Sequence, residues 1–157
     1  MRIEYFQLID RIIALNTADR TIRTEALVPT SSTIFEGHFP GYPLMPGVLL
    51  TEAMAQTCGW LIIALTRFDR MPFLAALKDV KLRTFVNPGE LLSISATVIH
   101  EGSGYMITKA ACKIGEKPIC DASITFRVVP FPNPEFRVSM QRVAEGLAFP
   151  MEAVGHG

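Results

Sequence analysis

The sequence predicts an α+β fold in which an antiparallel sheet wraps around one long apolar helix. Two observations point to it: residues 46–66 are apolar with a single charge, and much of the chain after them alternates apolar and polar residues. Alternation with a period of two is typical of strands that bury one face. At 157 residues the chain has room for one main domain. We place that domain at residues 1–130 and a C-terminal extension at residues 131–157.

The composition is that of a folded protein, with 49% hydrophobic and 19% charged residues. Fifteen Lys and Arg balance fifteen Asp and Glu, which argues against a nucleic-acid binder because such proteins normally carry a basic excess. Cys58, Cys112 and Cys120 lie in apolar stretches without Cys-x-x-Cys spacing, so we expect buried, reduced thiols and no metal site. Residues 1–20 contain six charges and cannot be the apolar part of a signal peptide. We therefore expect a cytoplasmic protein.

The apolar stretch at residues 46–66 is long enough to cross a bilayer, which takes roughly 20 apolar residues. In that arrangement Glu52 would lie in hydrocarbon, where a charge is costly. We therefore predict a helix buried by protein and no membrane span. The prolines before it, Pro40, Pro43 and Pro46, keep the chain extended and mark the start of the helix. Its end is expected near Arg67.

Strands are predicted on both sides of this helix. Those before it lie at residues 8–15 and 21–28, and the clearest ones after it at residues 91–99 and 122–128. Turn signals separate the later strands: a type II turn at 87–90 and hairpin connections at 102–104 and 115–116. A curved sheet of five to seven strands around a single helix is the hot-dog architecture. Its open sheet edges favour a dimer.

Two titratable residues flank the start of the helix. His38 lies in a loop bounded by Gly and Pro, and Glu52 is the only carboxylate in the helix. Gln56 follows Glu52 by four residues and so shares its helix face. A loop histidine alone is more often a surface residue, and a buried glutamate is more often structural. Together they can serve as base and acid, because burial raises the pKa of a carboxyl while an imidazole accepts a proton.

The helix start adds a third element. The N–H groups of Gly47 and Val48 have no partner within the helix and lie at the positive end of its dipole, so they can hold a developing oxyanion. Acid, base and oxyanion donors converge on proton abstraction next to a carbonyl, coupled to protonation of a leaving group.

The stretch GHFPGYPLMPGVLLTEAMAQ, at residues 37–56, closely resembles the motif of the FabZ/FabA-type 3-hydroxyacyl-[acyl-carrier-protein] dehydratases. The likeness continues in LIDRIIAL (8–15), in FLAALKDVKLRTFVNPGELLSISATVI (73–99) and in KPICDASITF (117–126), and it spans roughly residues 8–129. Three features depart from the family: Tyr42 stands where an Arg is common, the N-terminus is short, and the C-terminal tail is long.

The resemblance implies dehydration of (3R)-3-hydroxyacyl-[acyl-carrier-protein] to the trans-2-enoyl product, in type II fatty-acid or specialised lipid synthesis. It matches His38 to the base that removes the C2 proton and Glu52 to the acid that protonates the departing C3 hydroxyl. Gly47 matches the amide that binds the thioester carbonyl, and Gln56 a supporting position. Glu rather than Asp at position 52 favours dehydration without isomerisation. The elimination needs neither cofactor nor metal.

The resemblance also implies a homodimer in which His38 of one protomer works with Glu52 of the other, with assembly into hexamers left open. Its partner is an acidic acyl carrier protein, for which a local basic patch is expected from Lys78, Lys81, Arg83 and Arg137. Two alternatives stay open: a hot-dog acyl thioesterase and a non-catalytic acyl-binding subunit.

The acyl chain of such a substrate needs an apolar tunnel. Its candidate lining residues, which core packing would explain equally well, are Phe35, Phe39, Tyr42, Leu44, Met45, Met54 and Trp60. The C-terminal extension predicts a helix with Asn133 as its cap, Pro134 at its first position and Gly146 at its end. Its apolar stripe is Phe136, Met140, Val143, Ala144 and Leu147. That helix is expected to dock on its own domain, or to bound the tunnel or an interface in an enzyme for unusual or long chains.

Overall fold

In a computed structural model, which describes residues 1–154, the chain forms the predicted antiparallel sheet around a central helix. The strands are β1 (Arg11–Asn16), β2 (Thr21–Leu27), β3 (Arg70–Leu82), β4 (Leu91–Gly102), β5 (Tyr105–Ile114) and β6 (Lys117–Pro130). The helices are α1 (Thr33–Gly37), α2 (Gly47–Leu65) and α3 (Pro134–Gly146), with short 3-10 turns at Ile3–Tyr5 and Met151–Val154. The hot-dog prediction is confirmed.

The sheet has the order β1-β2-β4-β5-β6-β3, and every neighbouring pair is antiparallel. The predicted turns join its strands. Gly89 has a φ of +85°, and the N–H of Glu90 donates to the carbonyl of Asn87 at 3.4 Å, as a type II turn requires. The topology leaves β1 and β3 at the two edges of the sheet.

The first strand begins later than the sequence predicts. The apolar residues Leu8 and Ile9 are buried, but β1 begins only at Arg11. The N–H of Leu8 donates to the side-chain oxygen of Gln56 on α2, at 3.0 Å. A side chain 48 residues away therefore takes the hydrogen bond that a sheet partner would have taken.

The predicted central helix is confirmed almost to the residue, with Pro46 as its N-cap and Thr66 as its C-cap. By length and composition α2 could cross a bilayer, but 67% of its most apolar window is buried inside the fold. It packs against strands β2 to β6, whose inward residues include Leu92, Ile94 and Ile124. The sheet thus provides the apolar surroundings that a membrane would otherwise supply.

The three cysteines are free and buried, as predicted. Cys58 lies on α2, and burial raises the pKa of its thiol to about 12. A thiol with so high a pKa is unreactive near neutrality. Cys58 therefore has the character of a packing residue.

The C-terminal extension contains the predicted helix. The side-chain oxygen of Asn133 accepts a hydrogen bond from the N–H of Phe136 at 2.7 Å, and Pro134 occupies the first helical position. Beyond α3, the carbonyl of Leu147 accepts a hydrogen bond from the N–H of Ile12 at 2.8 Å. Phe149 is buried and lies edge-on to Phe68, with their ring centroids 5.2 Å apart. The tail is thereby joined to β1 and to the end of α2.

Candidate active site

His38 is held in one orientation by the loop that follows α1. Its ring Nδ1 lies 2.9 Å from the carbonyl oxygen of Leu44, and the N–H of Leu44 donates to the carbonyl of His38 at 2.9 Å. A carbonyl can only accept, so Nδ1 must carry the hydrogen, and Nε2 of the neutral ring keeps its lone pair. The half-buried imidazole also stacks on the ring of Phe39, with centroids 4.0 Å apart. This orientation leaves Nε2 as the ring nitrogen that can accept a proton.

The rest of this loop is fixed by backbone hydrogen bonds. Phe39 and Tyr42 exchange two such bonds, of 2.9 and 2.8 Å, around Gly41, whose φ is +73°. The N–H of Met45 then donates to the carbonyl of Val86 at 2.9 Å. The chain thus enters α2 along a defined path, which fixes the position of His38 relative to the start of the helix.

The N-terminus of α2 offers free donors. The carbonyl of Pro46 accepts from the N–H groups of Leu49 and Leu50. Within the described residues, the N–H groups of Gly47 and Val48 donate to no protein acceptor. Gly47 is also closely approached: a Cβ at this position would lie 2.5 Å from Cδ1 of Leu82 on β3. A side chain at position 47 would therefore have to displace Leu82.

Glu52 lies half-buried on α2, five residues after Gly47. Burial raises the pKa of its carboxyl, since desolvation disfavours the charged form. The amide of Gln56 donates to Oε1 of Glu52 at 3.3 Å, a weaker effect that lowers the pKa. The net shift is upward, which moves the carboxyl toward a protonated, acid-donating state.

Gln56 links Glu52 to the N-terminal segment. Its Oε1 accepts from the N–H of Leu8 at 3.0 Å, and its Nε2 donates to the carbonyl of Phe6 at 2.9 Å. All of its principal hydrogen-bonding groups are thereby engaged, which holds the side chain beside Glu52. Sequence reasoning placed Gln56 next to Glu52 but missed these bonds, because their partners lie 48 and 50 residues away.

A cavity of about 760 Å³ begins at Glu52 and Gln56. One face of α2 and residues of α3 line it. The remaining lining comes from the N-terminal segment, strand β3 and Phe126 on β6. The residues of the α2 wall are Glu52, Ala55, Gln56, Gly59, Trp60 and Ile63. Ala55 and Gly59 follow Glu52 by three and seven residues, a helical spacing in the sequence that could have placed them on the same face.

The seven predicted tunnel residues occupy three different environments. Trp60 lines the cavity. Phe35, Leu44, Met45 and Met54 are buried elsewhere, and Phe39 and Tyr42 are exposed. His38 does not line the cavity, and among residues 1–154 no hydrogen bond joins it to Glu52. Within one protomer the candidate base and the candidate acid are therefore not hydrogen-bonded to each other.

An apolar surface runs along the edge strand β3 and around the start of α2. We call it the β3 surface, and its members are Val48, Phe73, Leu74, Leu77, Val80, Leu82 and Phe85. Val48 and Phe85 are each 75% exposed. Contiguous exposed apolar residues on an unpaired sheet edge are typical of a protein interface.

The predicted basic residues do not form one cluster. Lys78 and Lys81 are exposed on β3, and Lys81 neighbours Leu82, which lies against Gly47. The guanidinium of Arg83 pairs with Asp121 at 2.7 Å, which offsets its charge. Arg137 lies on α3, which follows the end of β6 that pairs with Arg70, at the far end of β3 from Lys81. Across residues 1–154 no group of His, Cys, Asp and Glu is arranged to hold a metal ion.

Comparison with solved structures agrees with the fold. The dehydratase heterocomplex ApeI:P from Xenorhabdus doucetiae superposes with a TM-score of 0.63 at 14% identity, over 87% of this chain and 90% of that one. A hypothetical thioesterase with coenzyme A from Streptococcus pneumoniae gives a TM-score of 0.61 at 17% identity, over 76% and 85%. Since a dehydratase and a hypothetical thioesterase share this architecture, the fold alone does not choose between the two activities.

The sequence comparisons are more specific. The model of the FabA-like domain matches residues 2–123. The 3-hydroxyacyl-[acyl-carrier-protein] dehydratase FabZ of Lactiplantibacillus plantarum is 35% identical over 120 residues, which cover 76% of this chain and 81% of that protein. The FabZ of Levilactobacillus brevis is 37% identical over 120 residues, covering 76% and 80%. Because the family model matches residues 2–123, which are most of this chain, the chain belongs to the FabZ/FabA-type dehydratase family of FabA-like domains.

Proposed function

We propose that this protein dehydrates (3R)-3-hydroxyacyl-[acyl-carrier-protein] to trans-2-enoyl-[acyl-carrier-protein], in the cytoplasm, as part of fatty-acid or specialised lipid synthesis. The observation that carries the proposal is the motif at residues 37–56, which contains a histidine whose Nε2 is left to accept a proton and a half-buried glutamate that lines a cavity. The substrate class comes from the FabZ relatives, which are dehydratases of 3-hydroxyacyl-[acyl-carrier-protein].

The proposed reaction uses three groups. Nε2 of His38 takes the proton from C2, while the N–H groups at Gly47 and Val48 stabilise the charge that develops on the thioester oxygen. The C2–C3 double bond forms as the C3–O bond breaks. Glu52 protonates the departing hydroxyl, which leaves as water. His38 ends protonated and Glu52 ionised, so a proton exchange with solvent restores the starting state.

Among the described residues of one protomer no hydrogen bond joins His38 to Glu52, and the β3 surface supports a site shared between two protomers. We infer that two copies associate through this surface, with β3 of one against β3 of the other. Leu82 on β3 lies against Gly47, so a partner seated on this surface would lie beside the start of α2. The active site then consists of His38 of one protomer and Glu52 of its partner, twice per dimer.

Carrier-protein binding is proposed at the basic residues nearest the start of α2. Lys78 and Lys81 are exposed on β3, and neither takes part in an ion pair within the described residues. Their charge would attract an acidic carrier protein despite the zero net charge of the chain, because local fields steer association.

The proposed activity is tested with purified protein and a 3-hydroxyacyl-[acyl-carrier-protein] substrate. The expected result is reversible appearance of the enoyl-thioester absorbance band without release of free thiol. Release of thiol would instead establish the thioesterase alternative. Absence of any product across short and long acyl chains would support a non-catalytic acyl-binding subunit.

The dimer is tested by placing a charge on the β3 surface. Leu77 is 46% exposed on the edge strand, and Leu77→Asp is expected to give a monomer, because a buried unpaired carboxylate costs several kcal/mol. Leu27→Asp is the matched control, since Leu27 is 51% exposed on the interior strand β2. Light scattering of both variants measures the mass. A Leu77→Asp protein that stays dimeric would contradict this interface.

A further inference from the structure

The feature that the proposed reaction leaves unexplained is the way α3 lies over the cavity. Of its thirteen residues only Ala144 is buried. Met140, Val143 and Leu147 are half-buried, although they form its apolar stripe. All three line the cavity. The stripe therefore packs only in part against the core and also borders the open space of the cavity.

Both ends of α3 are nevertheless anchored. At its start, Asn133 caps the helix and the ring of Phe136 lies edge-on to Phe131, with centroids 5.7 Å apart. Past its end, Leu147 is hydrogen-bonded to Ile12, and Phe149 lies among Trp60 and Phe68. A helix that is fixed at both ends and only partly packed on the core between them forms one wall of the cavity, which we call the roof.

The α2 wall of the cavity has small residues, Ala55 and Gly59, at its centre. Gly59 lies in the interior of α2, where glycine is destabilising relative to alanine. Its φ is not positive, and the nearest atom to an added Cβ would be Cγ of Pro72, at an ordinary 3.7 Å. Neither backbone geometry nor close packing requires glycine there. Together with Ala55 it leaves a shallow groove along α2 that leads away from Glu52.

The dimensions suit an extended chain. At about 1.5 Å per residue, the α2 wall from Glu52 to Ile63 is roughly 16 Å long. A volume of about 760 Å³ lies within the range of ligand pockets and far exceeds the packing voids of protein interiors. The polar lining comes from the N-terminal segment, from Glu52 and Gln56 on α2, and from Arg142 on α3, whereas Ala55, Gly59 and the roof stripe are apolar.

We propose that the acyl chain beyond C3 runs along the Ala55–Gly59 groove beneath α3, so that the C-terminal extension and Gly59 set the chain length this enzyme accepts. This inference rests on the proposed function, because Glu52 fixes the reacting end of the chain. A groove of this length is expected to favour medium-length and longer 3-hydroxyacyl thioesters as substrates. The roof lies outside residues 2–123, which match the FabA-like domain, and is a specificity element added to that domain.

The first test adds bulk to the roof. Val143→Phe is expected to lower kcat/KM for 3-hydroxydodecanoyl-[acyl-carrier-protein] at least tenfold, while kcat/KM for the 3-hydroxybutyryl substrate stays within about twofold. Val138→Phe is the matched control, because Val138 is on the same helix but 44% exposed and outside the cavity lining. Equal losses on both substrates, or equal behaviour of the two variants, would overturn the proposal.

A second variant separates specificity from folding. Gly59→Ala is expected to raise the melting temperature, since alanine favours the helix, and yet to lower the ratio of long-chain to short-chain kcat/KM. A stabilised protein with an unchanged ratio would contradict a role for Gly59 in substrate choice.

A binding measurement keeps this inference distinct from the proposed reaction. Trp60 is the single tryptophan of the chain and lines the cavity. S-dodecyl pantetheine brominated near its methyl end is expected to quench Trp60 fluorescence by contact, and an S-butyl analogue brominated at its end to leave it unchanged. Quenching without dehydration would support the cavity and refute the reaction. Dehydration without quenching or a Val143→Phe effect would refute the cavity proposal alone.

Discussion

Glu52→Gln is expected to lower kcat for dehydration by a factor of about 100 to 10,000, the usual contribution of a general acid. The amide keeps the size of the carboxyl but cannot deliver a proton to the leaving hydroxyl. The initial rate of enoyl-thioester formation measures the loss. Glu116→Gln, in the exposed β5–β6 hairpin, is the matched control and should leave kcat unchanged. Retention of activity in Glu52→Gln would remove this residue from the mechanism.

The same substitution is expected to stabilise the protein near neutral pH. Because burial raises the pKa of Glu52, the unfolded chain releases this proton at a lower pH than the folded chain. The stabilising contribution of the protonated carboxyl is complete below the unfolded pKa of about 4.3 and is lost as pH rises through the folded value. Glu52→Gln does not titrate, so its melting temperature should exceed that of wild type near pH 7.

That difference in melting temperature should shrink as the pH approaches about 4, where both forms carry an uncharged side chain. Thermal unfolding of the two proteins across this interval gives the comparison. A difference in melting temperature that widens at low pH would mean that Glu52 is held ionised in the fold. Glu52 could then not act as the general acid.

Mixing two inactive variants is expected to restore activity if the site is shared. In a dimer of one His38→Asn protomer and one Glu52→Gln protomer, one site combines both defects and the other combines the intact His38 and Glu52. Random pairing makes half of the dimers mixed, so about a quarter of the wild-type sites should be active. Activity of the co-expressed mixture, compared with each variant alone, measures this.

The control for that mixture is the double variant His38→Asn with Glu52→Gln, co-expressed with wild type. It gives mixed dimers in which each site has one defect, so their activity should be close to zero. If His38 and Glu52 worked within one protomer, the first mixture would stay inactive and these dimers would keep half their sites. The two arrangements thus predict opposite results.

Local patterns in the sequence were enough to predict the central helix, the turn at Gly89 and the cap of α3. In each case the decisive signal lies within a few residues: an uninterrupted apolar run, a Pro-Gly pair, or an Asn followed by Pro. The pairing of His38 with Glu52 as candidate base and acid was also visible, because the motif that carries both is continuous along the chain.

Contacts between distant residues were not visible in the sequence. The hydrogen bonds of Gln56 to Phe6 and Leu8, which delay the start of β1, depend on how the N-terminal segment crosses α2. The predicted tunnel lining stays a prediction, but proximity to the motif favoured Phe39 and Leu44, whereas the cavity follows one helix face to Trp60. Sequence distance is a poor guide to the walls of a cavity built from five separate segments.

The sequence by itself determined the architecture, the family and the residue types available for catalysis, because periodicity, turn chemistry and a contiguous motif are local properties. The tertiary structure alone decided which residues share a space. It left Glu52 but not His38 in the cavity lining, exposed an apolar strand edge, and made residues of α3 part of the same lining. These arrangements arise from packing between segments far apart in the chain, and only the folded geometry specifies them.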